Sequence, residues 1–173
     1  TELGIQKRLW FSAFGFVDVI GKAGKVWNKV PYPLLILPNA NLTYTIQPEA
    51  YTNMNAIEFI NDEYISWDVT YYMNGLILNR LPLIKKLKWR EVLCFRGLWG
   101  HLTDKNNPMK TGEGLYAFPV GSGVMGRAPY MEASVGIENI FKFTRLDYVW
   151  RLNYRDHSGI QKRGIRCTMS LSF

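Results

Sequence analysis

Residues 164–173 read GIRCTMSLSF. Ile165, Cys167, Met169, Leu171 and Phe173 are apolar, while Arg166, Thr168, Ser170 and Ser172 are polar. Side chains of a strand point alternately to opposite faces, so a period of two over ten residues predicts a two-faced β-strand. The same design precedes it. In residues 143–154, Leu146, Tyr148, Trp150, Leu152 and Tyr154 share one face, and Arg145, Asp147, Arg151 and Asn153 the other. Met131, Ala133, Val135 and Ile137 alternate with Tyr130, Glu132, Ser134 and Gly136.

Working back, Ile65, Trp67, Val69, Tyr71 and Met73 oppose Tyr64, Ser66, Asp68, Thr70 and Tyr72. Around Trp89 to Trp99, one face holds Trp89, Leu93, Phe95 and Trp99, interrupted by Glu91; the other holds Arg90, Val92, Cys94, Arg96 and Leu98. The first residues are less regular. Leu3, Ile5, Leu9 and Phe11 alternate with Glu2, Gln6, Arg8 and Trp10, with Lys7 on the apolar face, and Val17, Val19, Gly21 and Ala23 face away from Asp18 and Lys22. The expectation is an all-β, antiparallel up-and-down meander of about seven long strands. Residues 28–62 and 100–129 are long connections rich in Asn, Pro, Gly and Lys. Residues 74–88, with Leu76, Ile77, Leu81, Leu83, Ile84 and Leu87 beside Lys85 and Lys86, predict a brief amphipathic helix lying on a surface.

The chain has 173 residues, 47% hydrophobic and 20% charged, which excludes general disorder. Aromatic residues reach 14%, with six Trp and ten Tyr. No apolar run approaches the ~18 residues of a membrane helix. An amphipathic sheet then has two solutions. In a soluble sandwich the apolar face is the core; in an outer-membrane barrel it meets lipid and the polar face lines the lumen.

Three features favour the barrel. Strands 143–154 and 164–173 approach the ~9–11 residues of a tilted spanning strand. Trp89, Trp99, Tyr148, Trp150 and Tyr154 sit where rings settle at a lipid boundary. Connections alternate between short and long. On this reading Trp67, Trp89, Trp99, Val135, Tyr148, Trp150 and Leu152 are lipid-facing or girdle residues, and Asp68, Arg90, Arg96, Glu132, Asp147 and Arg151 face the lumen as a structural polar network. The whole chain, 1–173, reads as the C-terminal portion of a barrel domain: Thr1 is not a start methionine, and the chain stops inside a patterned strand.

Lys162, Gly164, Cys167, Met169, Leu171 and Phe173 resemble the C-terminal signal by which bacterial outer-membrane barrels are recognised for assembly. An exposed edge strand offers unpaired backbone groups to a partner strand. Segments LPLIKKLKWREVL (81–93), PYMEASVGIENIFKFTRLDYVWRLNYRDH (129–157), GIRCTMSLSF (164–173) and KAGKVWNKVPYPLLILPNAN (22–41) further resemble a Bacteroidetes outer-membrane family of uncharacterised function. That resemblance implies an upstream carboxypeptidase-like regulatory domain and a C-terminal barrel, similar to the barrel-insertase and translocation-pore superfamily. It also implies that 28–62 corresponds to the insertases' lumen-inserted loop. Their Val/Ile-Arg-Gly-aromatic motif is absent from it.

The other chemical features are plain. Cys94 and Cys167 read as small strand hydrophobes, and His101 and His157 have no companions at metal spacing. VGSGVMG (120–126) lacks the Gly-Lys-Ser/Thr of a phosphate loop. The net charge of +7 is spread over turns and inward faces, which argues against nucleic acid. No cofactor and no enzyme are expected. The expected partners are the outer-membrane bilayer and, through the last strand, the barrel-assembly machinery, with envelope assembly or transport as the role. The alternatives are a nutrient-transporter barrel, or a soluble secreted β-sandwich binding carbohydrate or protein. Dependence on detergent separates the last from the others.

Overall fold

The computed structural model describes residues 1–40, 49–111, 114–157 and 159–169. Seven antiparallel strands form one sheet in chain order: β1 Glu2–Trp10, β2 Phe16–Lys25, β3 Glu63–Tyr72, β4 Arg90–His101, β5 Tyr130–Ile140, β6 Thr144–Arg151 and β7 Arg163–Met169. Among the described residues β1 pairs only with β2, and β7 only with β6. The meander puts connections 11–15, 73–89 and 141–143 at one end, and 26–62, 102–129 and 152–162 at the other. The two longest connections, 26–62 and 102–129, therefore lie at one end, although 73–89 at the other end is longer than 152–162.

Those long segments fold back over one face of the sheet. Tyr51, Met54 and Phe59 from 26–62 pack with Leu98, Met125 and Tyr130, against Tyr64 and Tyr154. Leu35 and Ile60 pack with Leu102, flanked by Phe118. Asp62 ties the two long segments together: it accepts from Thr103 N at 3.0 Å and Asn106 Nδ2 at 2.9 Å, while Asn106 Oδ1 accepts from Val30 N at 2.9 Å. The core thus lies between the connections and the polar face of the sheet.

The apolar face is bare. Ile65, Leu93, Phe95, Val135, Leu146, Tyr148, Ile165 and Met169 are exposed, while Thr70, Cys94, Glu132, Ser134, Asp147, Arg151 and Arg166 on the opposite face are buried. A soluble sheet has these preferences reversed.

Three expectations need correction. Residues 74–88 do not form one amphipathic helix. They make two 3₁₀ turns, Leu78–Arg80 and Ile84–Leu87, separated at Leu81, whose backbone is extended (φ −83°, ψ 121°). Pro82 follows it, and the proline ring drives the preceding residue out of the helical region. The strand expected over 143–154 is shorter, Thr144–Arg151. Beyond it Asn153 bonds to Met131 N and Pro129 O, and Tyr154 turns to positive φ (52°). Tyr154 therefore joins the core under the loops instead of the bare face, and Leu152, though exposed, lies past the strand end.

Glu91, the charge that interrupted the apolar row of β4, is explained by the same connection. It is buried, and its Oε1 accepts from the backbone N–H groups of Ile77 (3.0 Å) and Leu78. The carboxylate caps a turn whose N–H groups have no ladder partner.

Candidate functional site: a charged wall gripping an inserted loop

Four residues expected on one face stand directly opposite each other across four strands: Asp68 faces Arg96, Arg96 faces Glu132, and Glu132 faces Arg151. Signs alternate along this transverse row. Arg96 Nε lies 2.6 Å from Asp68 Oδ2, and Thr70 Oγ1 donates to Asp68 Oδ1 at 2.7 Å. Such cross-strand pairs register neighbouring strands.

Glu132 and Arg151 do not bind each other. Both reach into residues 49–62. Glu132 Oε2 accepts from Thr52 N at 3.0 Å, and Oε1 accepts from Asn53 N at 2.7 Å and from Tyr130 Oη at 2.8 Å. Arg151 donates to Asn53 O (3.0 Å), to both oxygens of Glu58 (2.9 and 2.5 Å), and to Asn153 O and Tyr154 O (3.1 and 2.7 Å). All five of its donor positions are spoken for, as a buried guanidinium requires. Arg96 adds a bond to Ala50 O at 3.2 Å, and Tyr51 Oη donates to Gly97 O at 2.9 Å. The loop is held by its backbone as much as by its side chains.

The loop answers with Glu58. Burial pushes its carboxyl up, but the Arg151 guanidinium, the Asn55 N–H and His157 outweigh that and hold it below the ordinary glutamate range. The Tyr51 phenol, pushed well up chiefly by burial, stays a neutral donor. A depressed carboxyl stabilises the folded state fully above its unfolded value, about 4.3, and loses that contribution as pH falls through the folded value. The stability difference between the native chain and Glu58→Gln should therefore be flat from neutrality down to that range and shrink only below it, read from urea midpoints. A difference that already vanishes near neutrality would refute the depressed carboxyl.

Asp147 anchors a second group on this face. Arg145 Nη2 lies 2.7 Å from Asp147 Oδ1, and Arg166 Nε 3.4 Å from Oδ2. Arg90 is nearer the edge, partly exposed, 3.9 Å from Glu138. Among the described residues no group of three or more His, Cys, Asp or Glu is placed to hold a metal.

The remaining expected residues are distributed as follows. Trp67 lies over Gly97, where a Cβ would collide with the indole ring. Trp99 and Trp150 stand toward the long-connection end of the bare face and Trp89 at the short end, with Tyr148 and Trp150 edge to face at 4.7 Å. Val135 is 48% exposed between them. Of the C-terminal set, Lys162 and Cys167 are exposed, Met169 is 71% exposed on the bare face, and Leu171 and Phe173 lie outside the described residues. Gly164 is on the covered face beneath Asn53: a Cβ there would stand 2.6 Å from Asn53 Oδ1. Gly164→Val should loosen the loop by about 1–3 kcal/mol, seen as faster amide exchange at Thr52 and Asn53. Unchanged exchange there would mean that the glycine serves only the strand.

Sequence reading missed Asn53, Glu58 and His157. The available signal was Tyr51, Met54, Phe59 and Ile60, four large apolar residues in a connection that a solvated loop would not carry.

The fold and site define a class: an amphipathic meander with its polar face occupied by its own inserted loop. Residues 36–107 match the model of a family of unknown function, the DUF5686 C-terminal domain. The match takes in the inserted loop, β3 and β4, and so includes Asn53, Glu58, Asp68 and Arg96. No curated protein and no solved structure matches the chain.

Proposed function

We propose that this chain is the C-terminal portion of a β-barrel of the bacterial outer membrane, with a role in envelope assembly or transport. The observation that carries this reading is the inverted sheet: a row of exposed aliphatic and aromatic side chains on one face and buried ion pairs on the other. A lipid-exposed face needs apolar side chains and a fully bonded backbone, and an aqueous interior tolerates charge. Among the described residues β1 and β7 are each paired on one side only, which leaves room for further strands to close the cylinder. The inserted loop obstructs the interior beside β3–β6, which favours a gated or assembly-related role over an open pore. The bilayer is the principal partner, and the assembly machinery binds through the C-terminal strand.

The test is expression of the full-length gene product followed by membrane fractionation. The expected result is recovery in the outer membrane as a heat-modifiable band that stays monodisperse only in detergent. A monomer soluble without detergent would overturn the proposal in favour of the secreted sandwich.

A further inference from the structure

At one end of the sheet every connection lacks a carboxylate. Residues 11–15, 73–89 and 141–143 contain Arg80, Lys85, Lys86, Lys88 and Lys142, and neither Asp nor Glu. We propose that this rim is a docking surface for anionic phospholipid headgroups, which it selects from the leaflet it meets. The inference rests on the barrel reading and adds to it a headgroup class and a place.

The charge is uncompensated. All five cations are exposed, and none has an ion-pair partner among the described residues. The nearest acids on the adjoining strands are committed elsewhere: Glu91 is buried against the N–H groups of Ile77 and Leu78, and Glu138 stands 3.9 Å from Arg90. The opposite end mixes both signs, with Asp104 and Asp156 beside Lys105 and Arg127. Basic residues at a membrane surface attract anionic headgroups when no acid of their own cancels them.

The same connections expose large apolar groups. Leu83 is 86% exposed and Phe141 80%, and Ile77, Leu81 and Leu87 are exposed beside the lysines. Phe11 and Phe14 do the same in the first connection. Apolar anchors beside cations are what an interfacial segment needs, since burial at the acyl boundary and attraction to anionic lipid then act together. An acidic soluble protein would match the charge alone. The apolar surface also carries on from the bare face: Leu146 within β6 and Phe143 just outside it are both exposed.

The rim is built rather than slack. Phe141 (φ 51°) and Lys142 (φ 74°) hold left-handed conformations at the tip of the β5–β6 hairpin, where Asn and Gly are usual. Lys88 is also left-handed (φ 53°), and its carbonyl accepts from Asn139 Nδ2 at 2.7 Å, which ties 73–89 to the end of β5. The cations of two connections are thereby fixed to one scaffold, which lowers the ordering cost of binding.

The test is electron spin resonance of the full-length protein, reconstituted in phosphatidylcholine with spin-labelled phosphatidylglycerol or spin-labelled phosphatidylcholine. Association with phosphatidylglycerol should be at least threefold the stronger, and the two should become equal in 1 M NaCl, where charges are screened within a few ångströms. Lys85→Gln/Lys86→Gln/Lys142→Gln should abolish the preference with the heat-modifiable folded fraction unchanged, and Lys105→Gln/Lys110→Gln at the opposite end should retain it. Leu83→Ser/Phe141→Ser, with every cation kept, should lower the preference at least twofold. A folded barrel with equal association of the two lipids, or with a preference that survives the triple lysine variant, would overturn this inference and leave the barrel reading standing. A protein recovered as a soluble monomer without detergent would overturn both.

Discussion

Arg151→Met should lower the unfolding free energy by about 3–5 kcal/mol, the cost of leaving a buried charge without its partner. The change removes five hydrogen bonds and strands the Glu58 carboxylate, whose remaining contacts are Asn55 N and His157. Asn53 O loses its donor as well. Arg151→Lys restores charge but not the two-pronged geometry on Glu58, and should recover only part of the loss. The double variant Arg151→Met/Glu58→Met should be more stable than Arg151→Met alone, because no unpaired charge then remains. Urea midpoints of the four proteins and amide exchange at Asn53 and Asn55 make the comparison. Wild-type exchange at those amides in Arg151→Met would show that Glu132, the β4 contacts and the packing of Tyr51, Met54 and Phe59 seat the loop without Arg151.

Val135→Arg is expected to carry the next largest effect. Val135 is exposed on the bare face, opposite Leu93 and Tyr148 and well inside β5. If that face meets hydrocarbon, a guanidinium at mid-depth costs about 2–4 kcal/mol; on a water-exposed surface the same change stays within about 0.5 kcal/mol. Gln6→Arg puts the same charge on the opposite face of β1 and should be harmless in both cases. The folded, heat-modifiable fraction recovered from outer membranes should therefore fall sharply for Val135→Arg and remain at the native level for Gln6→Arg. Equal recovery of the two would remove the lipid face from this sheet, whatever else the protein does.

The order of strands and their two faces were legible because each depends on nearest-neighbour alternation. Ile165, Cys167 and Met169 on one side, Arg166 and Thr168 on the other, need no knowledge of the rest of the chain. The polar residues of β3 to β6 were legible for the same reason. Their partners were not. Arg151 and Glu58 are 93 positions apart, and nothing periodic links them. Residues 74–88 misled because a count of leucines at helical spacing ignores what Pro82 does to Leu81. Tyr154 misled because alternation was carried past Arg151, where Asn153 takes up the backbone groups that a strand would have paired.

The separation between Arg151 and its loop contacts has a kinetic consequence. The guanidinium on β6 reaches back 98 positions to Asn53, and Glu132 on β5 reaches back 79. Contacts that span so much chain form late, since the intervening segment must first be ordered. Strands β1 to β4 pair through shorter excursions, and β4 already holds Ala50 and Tyr51, 46 positions before Arg96 and Gly97. Thr52, Asn53 and Glu58 gain their contacts only once β5 and β6 supply Glu132 and Arg151, so full seating of the loop waits until most of the sheet exists. Formation of the sheet and full seating of the loop on its polar face are two events on two clocks, and a substitution at Arg151 should slow or reverse the second while leaving the first at its native rate.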